Sequence, residues 1–183
     1  MIYFTSDWHF NHNKDFVWFK RGYNSIEEMN EAIISNICST LDEGDELWVL
    51  GDIIMGETNA NAAALLSRIP YSVHFIIGNH DSYKRVQLYE SFGWINEGYA
   101  TVIQDGKWHF YLSHYPTFTS NYDDNKKHLP LINLFGHTHQ EHLFFLNNPY
   151  MYHVGVDSHD CMPISIDKIK QDVRNKVQKE LNI

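Results

Sequence analysis

Three short apolar runs, each ending in a polar tip, constrain this chain more than any other feature. "MIYFTSD" opens the sequence, "ELWVLGD" ends at Asp52, and "SVHFIIGNHD" ends at Asp81. None of the three alternates apolar with polar residues, so a strand made from any of them is buried on both faces. Helical segments lie between them. "SIEEMNEAIISNICSTL" (25–41) sets Ile26, Met29, Ile33, Ile37 and Leu41 on one face, with Ser25 and Glu28 spaced as a capping box. "NANAAALLSRI" reads as a helix closed by Pro70, and "SYKRVQLYESF" as another. This β-α-β-α-β-α order predicts a parallel sheet with covered faces.

The period changes after residue 98. "YATVIQDGKWHFYLSHY" reads as a hairpin turned at Asp105-Gly106, and "LPLINLFGHTH", "EHLFFLNN" and "YMYHVGVD" as further strands. "SIDKIKQDVRNKVQKELN" closes the chain as an amphipathic helix. No linker, repeat or low-complexity tract divides the 183 residues. The expectation is one α/β domain over 1–183, with two packed sheets, the first mostly parallel, flanked by helices.

Composition removes several classes of function. No apolar run approaches the ~18 residues of a membrane span, and the start lacks the basic region of a secretory signal, so a cytoplasmic protein is expected. The formal net charge of −9 argues against binding long duplex nucleic acid, which needs a basic face. Bound cations would reverse that sign locally, so phosphate substrates stay open. Cys38 and Cys161 form no metal-binding or redox spacing and are read as reduced thiols. The 12 histidines are the unusual count.

Those histidines fall where the strands end. Asp7 and His9 follow the first run, Asp52 the second, and Asn79, His80 and Asp81 the third; His114 sits in "SHYP", His137 and His139 in "GHTH". Open α/β sheets gather ligands at the carboxyl ends of their strands, so five tips of metal-ligand type belong at one edge. Spacing alone does not establish this, because Asp157 and His159 repeat the Asp-x-His pattern of Asp7 and His9. Asp157 is read as stabilising a nearby loop and His159 as exposed. His74 is read as a satisfied strand histidine, while His109, His128, His142 and His153 show no partnered spacing. The "DDNKK" run (123–127) is read as a loop at the pocket rim.

The blocks "DWH", "GDIIMG", "GNHD", "SHYP" and "GHTH", in that order, resemble the calcineurin-like metallophosphoesterase superfamily. The closing "HVGVDSHDCMPISIDKI" also looks like that of its small bacterial and phage members. The resemblance implies a four-layer α-β-β-α sandwich and a dinuclear centre. Asp7, His9, Asp52 and His139 would hold one divalent ion; Asp52, Asn79, His114 and His137 the other, with Asp52 bridging. The donors suit Mn first, then Fe, Ni or Zn. A bridging hydroxide would attack a phosphoric ester, with His80 contacting a phosphoryl oxygen or protonating the leaving group. Asp81 would orient His80, or else cap the helix beginning at Ser82. A phosphodiesterase on a small or nucleotide-type substrate is expected; the alternatives are a phosphomonoesterase and a non-catalytic scaffold. Relatives carry "HFGH" and "RPF" where this chain has "HFNH" and "FKRGY". His12, Lys20 and Arg21 are therefore candidate substrate contacts, and Asn11 is expected to take the left-handed backbone of the missing glycine.

Overall fold

The computed structural model describes residues 1–56, 58–120 and 130–181; "DDNKK" and His128 lie outside them. Strands β1 (Ile2–Thr5), β2 (Glu46–Val49), β3 (Ser72–Phe75) and β4 (Ile95–Asn96) run parallel in one sheet, and β9 (Ile164–Ser165) joins β1 antiparallel at its edge. The second sheet orders β5 (Ala100–Asp105), β6 (Trp108–Ser113), β7 (Leu131–Phe135) and β8 (Met151–His153). The β5–β6 pair is the expected hairpin, turned at Gly106; β6, β7 and β8 run parallel. Helices α1 (Asp15–Trp18), α2 (Ile26–Thr40), α3 (Ala60–Leu66), α4 (Tyr83–Ser91) and α5 (Ile166–Leu181) flank the two mixed sheets.

The continuous apolar runs are explained by two cores, one on each face of the first sheet. Leu47, Val49, Val73 and Phe75 face the helices, joining Met29, Ile33 and Ile37 of α2, Leu66 of α3 and Tyr89 of α4. Their strand neighbours Phe4, Trp48, Leu50 and Ile76 face the second sheet, against Phe110, Leu112, Ile132, Leu134 and Tyr152; α5 adds Ile166, Ile169 and Val173. Period-two alternation is therefore present, but both of its faces are apolar. His74 is satisfied as expected: it stacks on Trp48 at 4.3 Å and bonds Glu97 at 2.7 Å.

Local chemistry sets the helix starts. The Ser25 side chain accepts from the Glu28 amide at 3.1 Å, but the Glu28 carboxylate takes the Asn24 amide rather than completing the box. Asn59 accepts from the amides of Asn61 and Ala62 and starts α3. That helix stops at Leu66, ahead of Pro70. The segment "EHLFFLNN" is not a strand. After a single bridge at Phe144 the chain turns, with Leu146 and Asn147 at φ 49° and 62° and Leu146 in solvent. The short α1, β4 and β9 have no periodic signature in the sequence.

Asn133 holds the second sheet to the loop that leaves β6. Its amide donates to the Tyr111 carbonyl and the Ser113 hydroxyl, and its side-chain oxygen accepts from the Thr117 amide at 2.7 Å. It is fully buried, so Asn133→Ala strands several polar groups at once. The expected loss is about 2–4 kcal/mol in urea denaturation; a change under about 0.5 kcal/mol would show that this anchor is dispensable.

Candidate metal centre

The sheets converge at their strand ends. Beyond β1, Ser6 bridges to Gly155 beyond β8, and the Val156 amide donates to the Ser6 carbonyl at 3.1 Å. The β1–β2 pairing also continues past the strands, with the amides of Asp7, His9 and Phe10 donating to the carbonyls of Gly51, Asp52 and Ile53, each at 3.0 Å. All seven candidate ligands follow strand ends: Asp7 and His9 after β1, Asp52 after β2, Asn79 after β3, His114 after β6, and His137 and His139 after β7. Five of them are left-handed: Asp7 (φ 59°), His9 (51°), Asp52 (56°), His137 (65°) and His139 (47°). Such geometry costs a non-glycine residue roughly 1–3 kcal/mol and persists where the surroundings over-determine it. Asn11 is left-handed as well (φ 64°), as its replacement of glycine predicts.

Two glycines allow the close approach. A Cβ on Gly136 would overlap Ser6 Oγ and Asp7 Oδ2, and one on Gly78 would overlap Asp52 Oδ1. The glycines of "GHTH" and "GNHD" are thus spaces occupied by the carboxylates of other strands. Asp7 is held from two sides: Ser6 Oγ donates to Oδ2 at 2.7 Å, and the His137 amide reaches the carboxylate at 3.0 Å.

The candidate ligand atoms lie in two groups, and Asp52 Oδ2 faces histidines of both. In the first, His9 Nε2 and His139 Nε2 are 3.1 Å apart, His9 Nε2 is 3.9 Å from Asp7 Oδ1 and 3.7 Å from Asp52 Oδ2, and His139 Nε2 is 4.0 Å from Asp7 Oδ1. In the second, Asn79 Oδ1 is 2.8 Å from both His114 Nε2 and His137 Nδ1, and His114 Nε2 is 3.4 Å from Asp52 Oδ2. Atoms ~2.0–2.2 Å from one cation stand roughly 3–3.5 Å from their neighbours and farther from opposed corners. Asp7, His9 and His139, and likewise Asp7, Asp52 and His114, bring ligand atoms within 4.8 Å of one another and can hold a metal ion.

Proton placement supports the fit. His114 Nδ1 bonds the Leu50 carbonyl at 2.8 Å and His139 Nδ1 the Asp157 carboxylate at 2.8 Å. Both Nδ1 atoms are therefore donors, and in the neutral rings both Nε2 lone pairs point into the pocket. The Asn79 oxygen and the His114 lone pair then face each other, an arrangement a cation relieves. Burial raises the Asp7 pKa and lowers that of His9 to about 2. Burial opposes charge on His114 and His139 too, yet the Asp52 carboxylate raises the first and Asp157 the second.

Behind these groups the side chains take roles that the sequence left unread. The Arg21 side chain is buried behind the site while it also lines the cavity there. It is a buried strut, pairing with both oxygens of Asp157 at 3.0 and 3.1 Å and donating to the carbonyls of Asp7 (2.8 Å) and Trp8 (3.2 Å). Asp157 is thereby drawn to the back of His139, and its pKa is depressed despite burial by His139 and Arg21. The available signal was Gly155-Val156-Asp157, a strand-end carboxylate on the same edge. His159 is not exposed; it packs on Tyr152 and its Nε2 meets the His153 carbonyl at 2.9 Å.

Asp81 does neither of the things expected of it. Its carboxylate accepts from the amides of Asp52 (2.8 Å), Ile53 (3.3 Å) and Gly78 (2.9 Å) and from the Tyr89 hydroxyl (2.8 Å), clamping the β2 and β3 loops together. Helix α4 starts at Ser82 without a side-chain cap. His80 points outward, its ring 44% exposed and its Nε2 4.0 Å from Asp52 Oδ2. His12 stands beside it: a cavity of about 390 Å³ is lined by His9, His12, Phe16, Val17, Lys20, Arg21, His80, His139 and Asp157.

Asp157→Ala removes the acceptor that fixes the His139 tautomer. Metal affinity is expected to fall by about 10–100-fold, the usual cost of losing such a partner, read by chelator competition. Affinity within twofold of wild type would show that Asp157 does not position His139.

A family model for the calcineurin-like phosphoesterase superfamily domain matches residues 1–155. An uncharacterised protein of Methanocaldococcus jannaschii, MJ1445, is 30% identical over 189 aligned positions, covering 99% of this chain and 96% of that protein. The crystal structure of AQ665, a protein of unknown function from Aquifex aeolicus, superposes with a TM-score of 0.68 at 24% identity, covering 93% of this chain and 98% of that one. That likeness bears on the fold alone. With its two mixed sheets and a strand-end cluster able to bind metal, the chain belongs to the calcineurin-like phosphoesterase superfamily.

Proposed function

We propose that this protein is a metal-dependent phosphodiesterase acting on a small or nucleotide-type ester. The observation that carries the reading is the completeness of the donor set: two atom groups meeting at Asp52, with imidazole, carboxylate and amide donors and an exposed histidine at the mouth. Asp7, His9, Asp52 and His139 would hold one divalent ion, and Asp52, Asn79, His114 and His137 the other. This donor set favours Mn, with Fe, Ni or Zn able to substitute. The ions would supply Lewis acidity, lowering the pKa of bound water and offsetting charge on the phosphoryl oxygens.

The chain's residues supply the rest. His80 stands over the pocket with an exposed ring and can donate a proton to the departing oxygen. Its own amide donates to Asp52 Oδ1 at 2.9 Å, leaving Oδ2 to face the histidines of both groups. Asp81 fixes the backbone on either side of that bond. Among the described residues no helix is long and apolar enough to cross a membrane.

Asp52→Asn should abolish turnover and loosen both ions; unchanged metal content by elemental analysis would remove Asp52 from the shared position. His80→Ala should keep its metal while hydrolysis falls by ~10²–10⁴, the scale of a general acid; lost metal would place His80 among the ligands instead. Chelation should silence the wild type, whereas activity persisting in metal-stripped protein would refute the reading.

A further inference from the structure

The cavity beside the first ligand group is built for more than a phosphoryl group. It shares His9, His80 and His139 with the centre and extends away along Phe16 and Val17. At about 390 Å³ it lies near the low end of ligand pockets, which run to ~300–1,000 Å³, and suits one base with its sugar. Phe16 is a flat apolar platform left in solvent, 66% exposed, touching the His12 ring edge-on with centroids 5.8 Å apart. His12 in turn lies against His9, centroids 5.5 Å apart, so the platform is tied to the first ligand group.

A second platform stands at the other ligand group. Tyr115 is 50% exposed, and its ring centroid lies 4.6 Å from that of His137 and 5.3 Å from that of His114. One exposed aromatic ring thus stands beside each half of the centre, and His80 lines the cavity with Phe16. Lys20 adds a cation at the cavity, its Nζ 3.3 Å from the His139 carbonyl. An anionic linkage with a planar group on each side matches this sequence of surfaces, and stacking on rings is tolerant of base identity. The net charge of −9 opposes a long polyanion and limits the strand to a short one.

Resting on the phosphodiesterase reading, we propose that the substrate is a short single-stranded nucleotide step, its diester at the metal centre, one base in the Phe16 cavity and the other on Tyr115. A monoester would use one platform and leave the other bare.

The test is calorimetric binding to metal-loaded protein of a dinucleoside analogue in which methylene replaces the leaving oxygen, so that it is not hydrolysed. Counterparts carry a methyl group in place of one nucleoside or of both. Each base is expected to tighten binding about fivefold or more, the low end of base–aromatic stacking. Phe16→Ala and Tyr115→Ala should each remove one of these factors with metal content unchanged, while Phe16→Tyr and Tyr115→Phe, which keep the rings, retain both. Equal binding of the base-free analogue, or a base preference that survives both alanine variants, overturns the proposal. If wild type hydrolyses phosphodiesters but shows no base preference, only this inference fails. If it hydrolyses none and binds no analogue, the catalytic reading fails and this inference with it.

Discussion

Two carboxylates, Asp7 and Asp52, are buried in one pocket, and among the described residues their ion-pair partners are all histidines. Burying an anion without a counter-charge is costly, and burying two side by side more so. The chain meets part of that cost with hydrogen-bond donors: the His137 amide and the Ser6 hydroxyl on Asp7, and the His80 amide on Asp52. The proposed cations would offset the remainder. Everything around the pocket serves this arrangement, from the left-handed ligand residues to the glycines that let one strand end lie against the carboxylate of another.

The same demand explains how the sheets meet. A sandwich needs only apolar faces between its layers, and Phe4, Trp48, Phe110 and Tyr152 supply them. Bringing the β1, β2, β3, β6 and β7 ends to a common point requires polar ties. The Ser6–Gly155 bridge, the Asp81 clamp and the Arg21–Asp157 pair provide them. Arg21 is the telling case. Its guanidinium bonds two backbone carbonyls and one carboxylate, so it ties the β1 end to Asp157 behind His139.

Much of the fold could be read from the chain because its strands are short and continuously apolar and its helices carry one-sided faces. Ile26, Met29, Ile33, Ile37 and Leu41 are all buried, as their spacing requires. "EHLFFLNN" misled because an apolar run without alternation does not distinguish a strand from a tight turn packed on neighbours. The two-residue β4 and β9 exist only through pairing with β3 and β1, which local sequence does not encode. At the site, the Asp and His residues that meet there were legible as strand tips. The supports were not, since Asp81, Asp157 and Arg21 act in part through partners distant in sequence, as far as 136 residues for Arg21 and Asp157. Asp81 stands beside His80 in sequence, whereas in space it turns to backbone amides and the Tyr89 hydroxyl, and Asp157 turns to His139.

The claim on which all of this depends is that seven side chains from five strand ends hold two cations sharing Asp52. Anomalous diffraction from metal-loaded crystals, collected at the metal's absorption edge, tests it directly. The account predicts two peaks flanking the Asp52 carboxylate, one facing His9 and His139 and the other facing Asn79, His114 and His137. A single peak, or peaks away from Asp52, would contradict it.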